Sequence, residues 1–151
     1  MRKIQTTSIL QAYLKIEEMP KTIYKKDLIY PELSYAIVGC AFDVFNELGG
    51  GHREKVYQKA MKLAFQNKLI AFKEQFYYPL KYKHDTMEKG FFDFLMEEKI
   101  IVELKSLGFF TKGNYDQVKY YMNDSGLKLA LLITFGQNEV RSKRVVNFKA
   151  I

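Results

Sequence analysis

The chain carries, at residues 90–105, the segment GFFDFLMEEKIIVELK, in which two apolar stretches surround the polar pair Glu97-Glu98. Aromatic and β-branched residues favour strands, and a short polar break between two such stretches favours a tight turn. The segment therefore predicts a β-hairpin with strands at residues 90–96 and 99–105. A charged residue, Asp93, lies within the first of these apolar stretches.

Two further charged residues, Glu103 and Lys105, end the second stretch. Side chains alternate between the two faces of a strand, so Glu103 and Lys105 share one face and Leu104 points to the other. A turn between the strands brings Asp93 close to Val102 or Glu103. Two carboxylates and one ammonium group are thus predicted to converge.

Charge within an apolar strand is costly unless it is paired or coordinates a metal ion. One interpretation is a structural ion-pair network of Asp93, Glu103 and Lys105 at a sheet edge. In the other, both carboxylates and the carbonyl of Leu104 hold Mg²⁺ or Mn²⁺, which prefer oxygen ligands. Lys105 would then orient or help deprotonate the attacking water, or stabilise negative charge at phosphorus. Phosphodiester hydrolysis requires these groups, and both interpretations stay open at this point.

The rest of the chain predicts the order helix, helix, three strands, helix, two strands. Three glycines at residues 49–51 separate the first two helices, and Pro79 allows either one strand or two strands around it. The predicted elements are helices at residues 33–48, 53–66 and 114–122, strands at 70–82, 90–96, 99–105, 127–135 and 140–148, and a polar turn at 84–89.

Chain length and composition predict one domain at residues 28–151, preceded by an N-terminal extension at residues 1–27. The extension has a short amphipathic pattern between Ile9 and Ile16. A single cysteine, Cys40, excludes a disulfide within this chain and a four-cysteine zinc site. Because no apolar run is of membrane length, we expect a cytoplasmic protein that does not span a membrane.

The formal net charge is +7, which favours polyanionic partners. Residues 31–60 carry three basic and four acidic groups, and residues 91–120 carry four basic and five acidic groups, whereas the rest of the chain is clearly positive. This pattern suits a protein that attracts a phosphate backbone and holds a divalent cation at one acidic place. A random scatter of surface charge explains it equally well.

The spacing of Asp93, nine intervening residues and Glu103-x-Lys105 resembles the signature of the PD-(D/E)xK nuclease superfamily. The resemblance implies an α/β fold with a restriction-endonuclease-like core, in which helices flank a central mixed β-sheet. It also implies a catalytic site at Asp93, Glu103 and Lys105, with Mg²⁺ or Mn²⁺ bound by Asp93, Glu103 and the carbonyl of Leu104.

Further residues are similar to the motif set of the RecB-like branch of that superfamily: Gly90-x-x-Asp93, Gln117-x-x-x-Tyr121, and Glu54 on a preceding helix. The resemblance implies a further metal contact from Glu54. It also implies that Gln117 hydrogen-bonds the substrate phosphate or positions Lys105, while Tyr121 stacks or packs beneath. The alternatives are that Glu54 only complements the helix dipole, and that a surface glutamine lies over a core tyrosine.

The segment Gly51-His-Arg-Glu54-Lys-Val-Tyr57 resembles the Gly-x-x-Glu-x-x-Tyr pattern of the bacterial GxxExxY proteins. Neighbouring segments at residues 45–49, 102–105 and 126–132 are also similar to that family. For Tyr57 itself we expect a packing role in the core, and the alternative is a hydrogen bond from its hydroxyl near the site.

The last predicted strand carries three basic residues, Arg141, Lys143 and Arg144. We expect them to contact phosphate, although basic outer strands often only protect a sheet edge.

These patterns predict a metal-dependent nuclease that hydrolyses phosphodiester bonds of nucleic acid, with DNA favoured over RNA. The alternative is a catalytically silent module that binds nucleic acid or protein on the same fold. A homodimer or a partner subunit is a third hypothesis, because the chain leaves little surface for substrate selection.

Overall fold

A computed structural model describes residues 28–151 of the chain. The predicted N-terminal extension at residues 1–27, with its amphipathic pattern between Ile9 and Ile16, lies outside the described residues.

The described residues form three helices, five strands and a short 3-10 helix, and the predicted order of the main elements is confirmed. The helices are α1 (Pro31–Leu48), α2 (Glu54–Asn67) and α3 (Lys112–Ser125), the strands are β1 (Phe72–Tyr82), β2 (Asp85–Met96), β3 (Ile100–Ser106), β4 (Leu129–Phe135) and β5 (Val140–Val146), and the 3-10 helix is Phe148–Ala150.

The strands form a mixed sheet in the order β1-β2-β3-β4-β5. Neighbours run antiparallel except β3 and β4, which are parallel. Parallel neighbours need a crossover connection, and α3 supplies it. The mixed sheet flanked by helices confirms the predicted α/β, restriction-endonuclease-like fold class.

The sheet separates two hydrophobic cores. One core joins α1 and α2 to side chains such as Phe94, Val102 and Leu131, and the other joins α3 to side chains such as Ile101 and Leu132. Strands covered on both faces are expected to be almost wholly apolar, and β4 is buried along nearly its whole length. The charges in β3 are therefore exceptional in a central strand.

The first hairpin differs from its prediction. β1 runs unbroken through Pro79, which is tolerated because β1 is an edge strand where a missing N–H can face solvent. The predicted polar turn at residues 84–89 is wrong, since β2 begins at Asp85 and the turn is confined to Lys83 and His84. This part of the hairpin is largely exposed, so polar side chains occupy the strand without cost.

Some predicted boundaries also differ from those observed. The third helix is longer than predicted, because Thr111 and Asn114 form a reciprocal capping box at its start and Gly126, at φ 76°, ends it. The last strand is shorter than predicted, because the chain leaves it at Asn147, whose amide donates to the carbonyl oxygens of Met122 and Leu127.

Candidate active site

The β2–β3 hairpin places Asp93 beside Glu103. Its last regular pair joins Phe94 to Val102, so the next pair in the same register would be Asp93 and Glu103. At this position, hydrogen bonds from backbone N–H groups to side-chain carboxylates take the place of backbone-to-backbone hydrogen bonds between the two strands. The Asp93 N–H donates to Glu103 Oε1 at 2.7 Å, and the Leu104 N–H donates to Asp93 Oδ2 at 2.7 Å. Each carboxylate is thereby fixed by the opposite strand.

The strand is irregular at this point. Phe92 packs in the α3 core and Phe94 in the α1–α2 core, although residues two apart in a regular strand face the same side. Opposite Asp93 on β1, Gln75 has a positive φ of 48°. The local break frees Asp93 from the strand alternation and lets its carboxylate contact both β3 and α2.

Helix α2 supplies the third side of the site. Glu54 lies in its first turn and Gln58 one turn later. The Gln58 amide Nε2 donates to Asp93 Oδ1 at 2.8 Å and lies 3.5 Å from Glu54 Oε1. Gln58 therefore bridges the two acidic residues, and Gln75 also hydrogen-bonds Asp93 through its side chain.

Burial and like charge raise the pKa of both carboxyl groups in the hairpin. Burial is the main cause for Asp93, whose pKa rises to about 6, with a further contribution from the negative charge of Glu54. Burial is again the main cause for Glu103, whose pKa rises to about 8, followed by the charge of Asp93. Both groups therefore keep their protons to higher pH than ordinary carboxyl groups do.

No lysine neutralises this pair within residues 28–151. The four ion pairs there are Lys62–Glu74, Lys73–Glu98, Lys99–Glu97 and Arg141–Glu139. The structural ion-pair network that the sequence left open is therefore not formed. Lys105 is half-buried in β3 and has neither a hydrogen bond nor an ion pair with another described residue.

The carboxylate pair fits a divalent cation by the chemistry of its donors. The buried Asp93 and the half-buried Glu103 have raised pKa values and no cationic partner within residues 28–151, and such a pair is stabilised when a metal ion replaces the protons. The Leu104 N–H points toward Asp93, and in a strand the carbonyl of the same residue points to the same side. In the described part of the chain, however, no three His, Cys, Asp or Glu residues are grouped to hold a metal.

The segment at residues 51–57 fixes the start of α2. Gly51 has φ 87°, in the left-handed region that favours glycine. Tyr57 is fully buried, stacks on Phe135 at 4.2 Å between ring centroids, and donates its hydroxyl to the Gly49 carbonyl at 2.6 Å. The packing role expected for Tyr57 is confirmed, and this packing holds Glu54 near Asp93.

The two residues of the α3 motif, Gln117 and Tyr121, have different environments. Tyr121 packs its ring against Phe76, Tyr78 and Phe92, which both the resemblance and the alternative of a core tyrosine allow. Gln117 is exposed and lines a cavity of about 230 Å³ between α3 and the first hairpin. No hydrogen bond joins it to Lys105 within residues 28–151.

Tyr78 also lines that cavity, and its pKa is raised by burial and by the negative charge of Glu103. Across the hairpin, a Cβ at Gly90 would lie 2.1 Å from Tyr78 Cζ. Glycine at position 90 therefore allows the Tyr78 ring to lie against β2 at this place.

The three basic residues of β5 each contact a different part of the protein. The register aligns Lys143 with Glu103 and Arg141 with Lys105, with one strand between each pair. Arg141 pairs with Glu139 at 2.6 Å, and the Lys143 ammonium lies 4.9 Å from the Tyr115 ring centroid.

The side chain of Arg144 makes its contacts on the face of the sheet that packs against α1. Its guanidinium donates to Ser34 Oγ at 2.8 Å and to the Ile29 carbonyl at 2.6 Å. Burial lowers the pKa of Arg144. Arg144 therefore uses both terminal nitrogens of its guanidinium group in contacts within the fold.

Sequence reasoning missed the two glutamines that contact Asp93. Gln58 could have been found, because it follows Glu54 by four residues and therefore shares its helix face. Gln75 could not, because its position depends on the register between β1 and β2 and on its own positive φ.

Comparison with known proteins gives one family. The family model described as the PD-(D/E)XK nuclease superfamily matches residues 31–145. No curated protein matches the chain. A solved structure described as the crystal structure of SSO0001 is similar at 10% identity and a TM-score of 0.46, covering 95% of this chain and 77% of that one. None of the helices within residues 28–151 is long and apolar enough to cross a membrane.

Proposed function

The chain belongs to the PD-(D/E)XK nuclease superfamily, and on that premise we propose that it is a divalent-metal-dependent nuclease that hydrolyses phosphodiester bonds, of DNA rather than RNA. Nucleases of this superfamily generally use divalent metal ions and act on nucleic acid. The observation that carries the proposal is the buried Asp93–Glu103 pair, which has raised pKa values and no ion-pairing partner among the described residues.

We assign a role to each residue of the site. Asp93, Glu103 and the carbonyl of Leu104 would hold Mg²⁺ or Mn²⁺, and Glu54 would add a further contact through a water molecule. Gln58 bridges Glu54 to Asp93 and would orient both carboxylates. When bound, the ion supplies charge stabilisation at phosphorus and lowers the pKa of a water molecule.

The chain's own residues complete the site. Lys105 orients the attacking water or stabilises the charge that develops on the phosphoryl oxygens. Gln117 contacts the substrate backbone from α3, above Tyr121. Arg141 and Lys143 attract the backbone from β5, where their charge helps even though each has a protein contact.

The motif at residues 51–57 supports placing the chain among the GxxExxY proteins. Its glycine needs a positive φ, its glutamate lies near the carboxylate pair, and its tyrosine anchors the intervening turn. We also propose a cytoplasmic location and a domain boundary near residue 27, with a homodimer or partner subunit to widen the substrate surface.

A cleavage panel tests the proposed activity. We expect the purified full chain to cleave at least one of single-stranded, duplex, nicked or branched DNA in Mg²⁺ or Mn²⁺, and to be inactive in EDTA. Parallel RNA substrates test the preference for DNA. Failure to cleave any DNA or RNA with either metal would contradict the proposal.

A silent binding module is the second candidate, because the described residues contain no ready group of three metal-binding side chains. In that case nucleic-acid binding would be weakened by salt but indifferent to EDTA and to Lys105→Ala. The same protein preparation distinguishes the two functions.

A further inference from the structure

The β1–β2 hairpin carries aromatic side chains on both faces. On the inner face, Tyr78 stacks on Phe92 at 4.2 Å between centroids and packs against Tyr121 of α3. On the outer face, Tyr77 and Phe91 are direct partners in the register, with ring centroids 5.5 Å apart. Tyr77 is 45% exposed and Phe91 56% exposed. Only the inner aromatic layer is covered by the described part of the protein.

The outer pair lies close to Asp93 along β2. Phe91 precedes Asp93 by two residues, so their Cα atoms are at most about 7 Å apart despite the local irregularity of the strand. Lys89 precedes Phe91 by two residues, and the register is regular from Tyr77 to Leu80, so Lys89 lies on the same face as Phe91. Lys89 is exposed and makes no ion pair within residues 28–151. We call Tyr77, Lys89 and Phe91 the outer platform.

The chemistry of the outer platform matches a nucleotide. Aromatic rings bind the flat faces of bases, and a lysine ammonium group binds the phosphates between them. The faces of paired bases inside a duplex are already stacked, so only unpaired bases can use such rings. A second copy of the chain fits less well, because a two-fold contact of this patch with itself would bring two Lys89 ammonium groups together.

We propose that the outer platform stacks unpaired bases beside the scissile phosphate, so that the substrate is single-stranded or carries a single-stranded segment at the cleavage point. This proposal rests on the nuclease function and adds the class of substrate. The strand would run from the platform to the Asp93–Glu103 pair, a distance that one nucleotide can span.

Binding and cleavage by the full chain test the platform. Binding is measured by fluorescence anisotropy in EDTA, with a labelled single strand and the duplex of the same sequence. We expect the single strand to bind at least about tenfold more tightly than the duplex. The double variant Tyr77→Leu/Phe91→Leu should lose most of this difference, because leucine keeps apolar volume but has no aromatic face.

Two control variants make the result specific. Tyr82→Leu changes a tyrosine that is 65% exposed at the far end of the same strand, and it should bind the single strand like the wild type. The exchange Tyr77→Phe/Phe91→Tyr keeps both rings and should also retain binding. Circular dichroism and thermal unfolding confirm that each variant folds.

The outcomes separate this proposal from the nuclease function. Equal affinity for single strand and duplex, or unchanged binding in the leucine variant, would contradict base stacking on the outer platform even if the protein cleaves DNA. Conversely, if the wild type binds single strands through the platform but cleaves nothing in Mg²⁺ or Mn²⁺, the nuclease function fails and the binding site stands.

Discussion

Replacing Lys105 by alanine is expected to lower the cleavage rate about 10²- to 10³-fold, the usual effect of removing one group that stabilises transition-state charge. The side chain is half-buried in β3 and has no hydrogen bond or ion pair among residues 28–151, so its loss removes no protein contact of this kind. Thermal stability should therefore change little. Single-turnover cleavage of the best substrate from the panel gives the measurement.

Lys99→Ala is the matched control. Lys99 lies in the turn of the same hairpin, is half-exposed, and approaches Glu97 at 3.9 Å and the Tyr30 ring centroid at 5.8 Å. It should cleave at the wild-type rate. If Lys105→Ala cleaves within about threefold of the wild-type rate, its activation barrier has risen by less than about 1 kcal/mol. That result would contradict a catalytic role for Lys105.

Glu103→Gln is expected to stabilise the metal-free protein at alkaline pH. The pKa of Glu103 is raised by burial and by Asp93, so its ionisation opposes folding. A carboxyl group with a raised folded-state pKa contributes stability that is present at low pH. That stability is lost as pH rises from the unfolded value of about 4.5 toward about 8.

In Glu103→Gln the free energy of unfolding is expected to rise by on the order of 3 kcal/mol, which corresponds to about 5–10 °C in melting temperature. Thermal unfolding in EDTA near pH 9 measures this change. Near pH 4 the difference should vanish, because Glu103 is then protonated in both folded and unfolded states. Glu97→Gln, in the exposed turn, is the control and should change the melting temperature little at either pH. A Glu103→Gln protein that is less stable near pH 9 would show that the carboxylate is not under electrostatic strain.

The hairpin and its charges were predictable because period-two alternation and a polar break are local properties of the sequence. The opposition of Asp93 and Glu103 follows from the turn at Glu97-Glu98, which the structure places as expected. The extent of β2 was not predictable. Its outer half is solvent-exposed, so hydrophobic pattern carries no signal from Asp85 to Lys89.

Other features depend on tertiary contacts that no local pattern encodes. Arg144 reads as one more basic residue of an outer strand, yet its guanidinium reaches α1 and the Ile29 carbonyl. The absence of an ion pair between Lys105 and any residue within 28–151 is likewise a property of the assembled fold. The sequence allowed an ion-pair network and a metal site with equal weight. The ion pairs observed within residues 28–151 include none of Asp93, Glu103 and Lys105, so the network is not formed there.

Cation binding by Asp93 and Glu103 is the central requirement of the proposed nuclease function. Isothermal titration of the full chain with Mn²⁺ at about pH 9, where both carboxyl groups are ionised, measures it directly. The wild type is predicted to bind Mn²⁺, Asp93→Asn to bind at least about tenfold more weakly, and Glu97→Gln to bind like the wild type. Absence of Mn²⁺ binding by the wild type, or equal affinity in Asp93→Asn, would contradict a metal site at this pair.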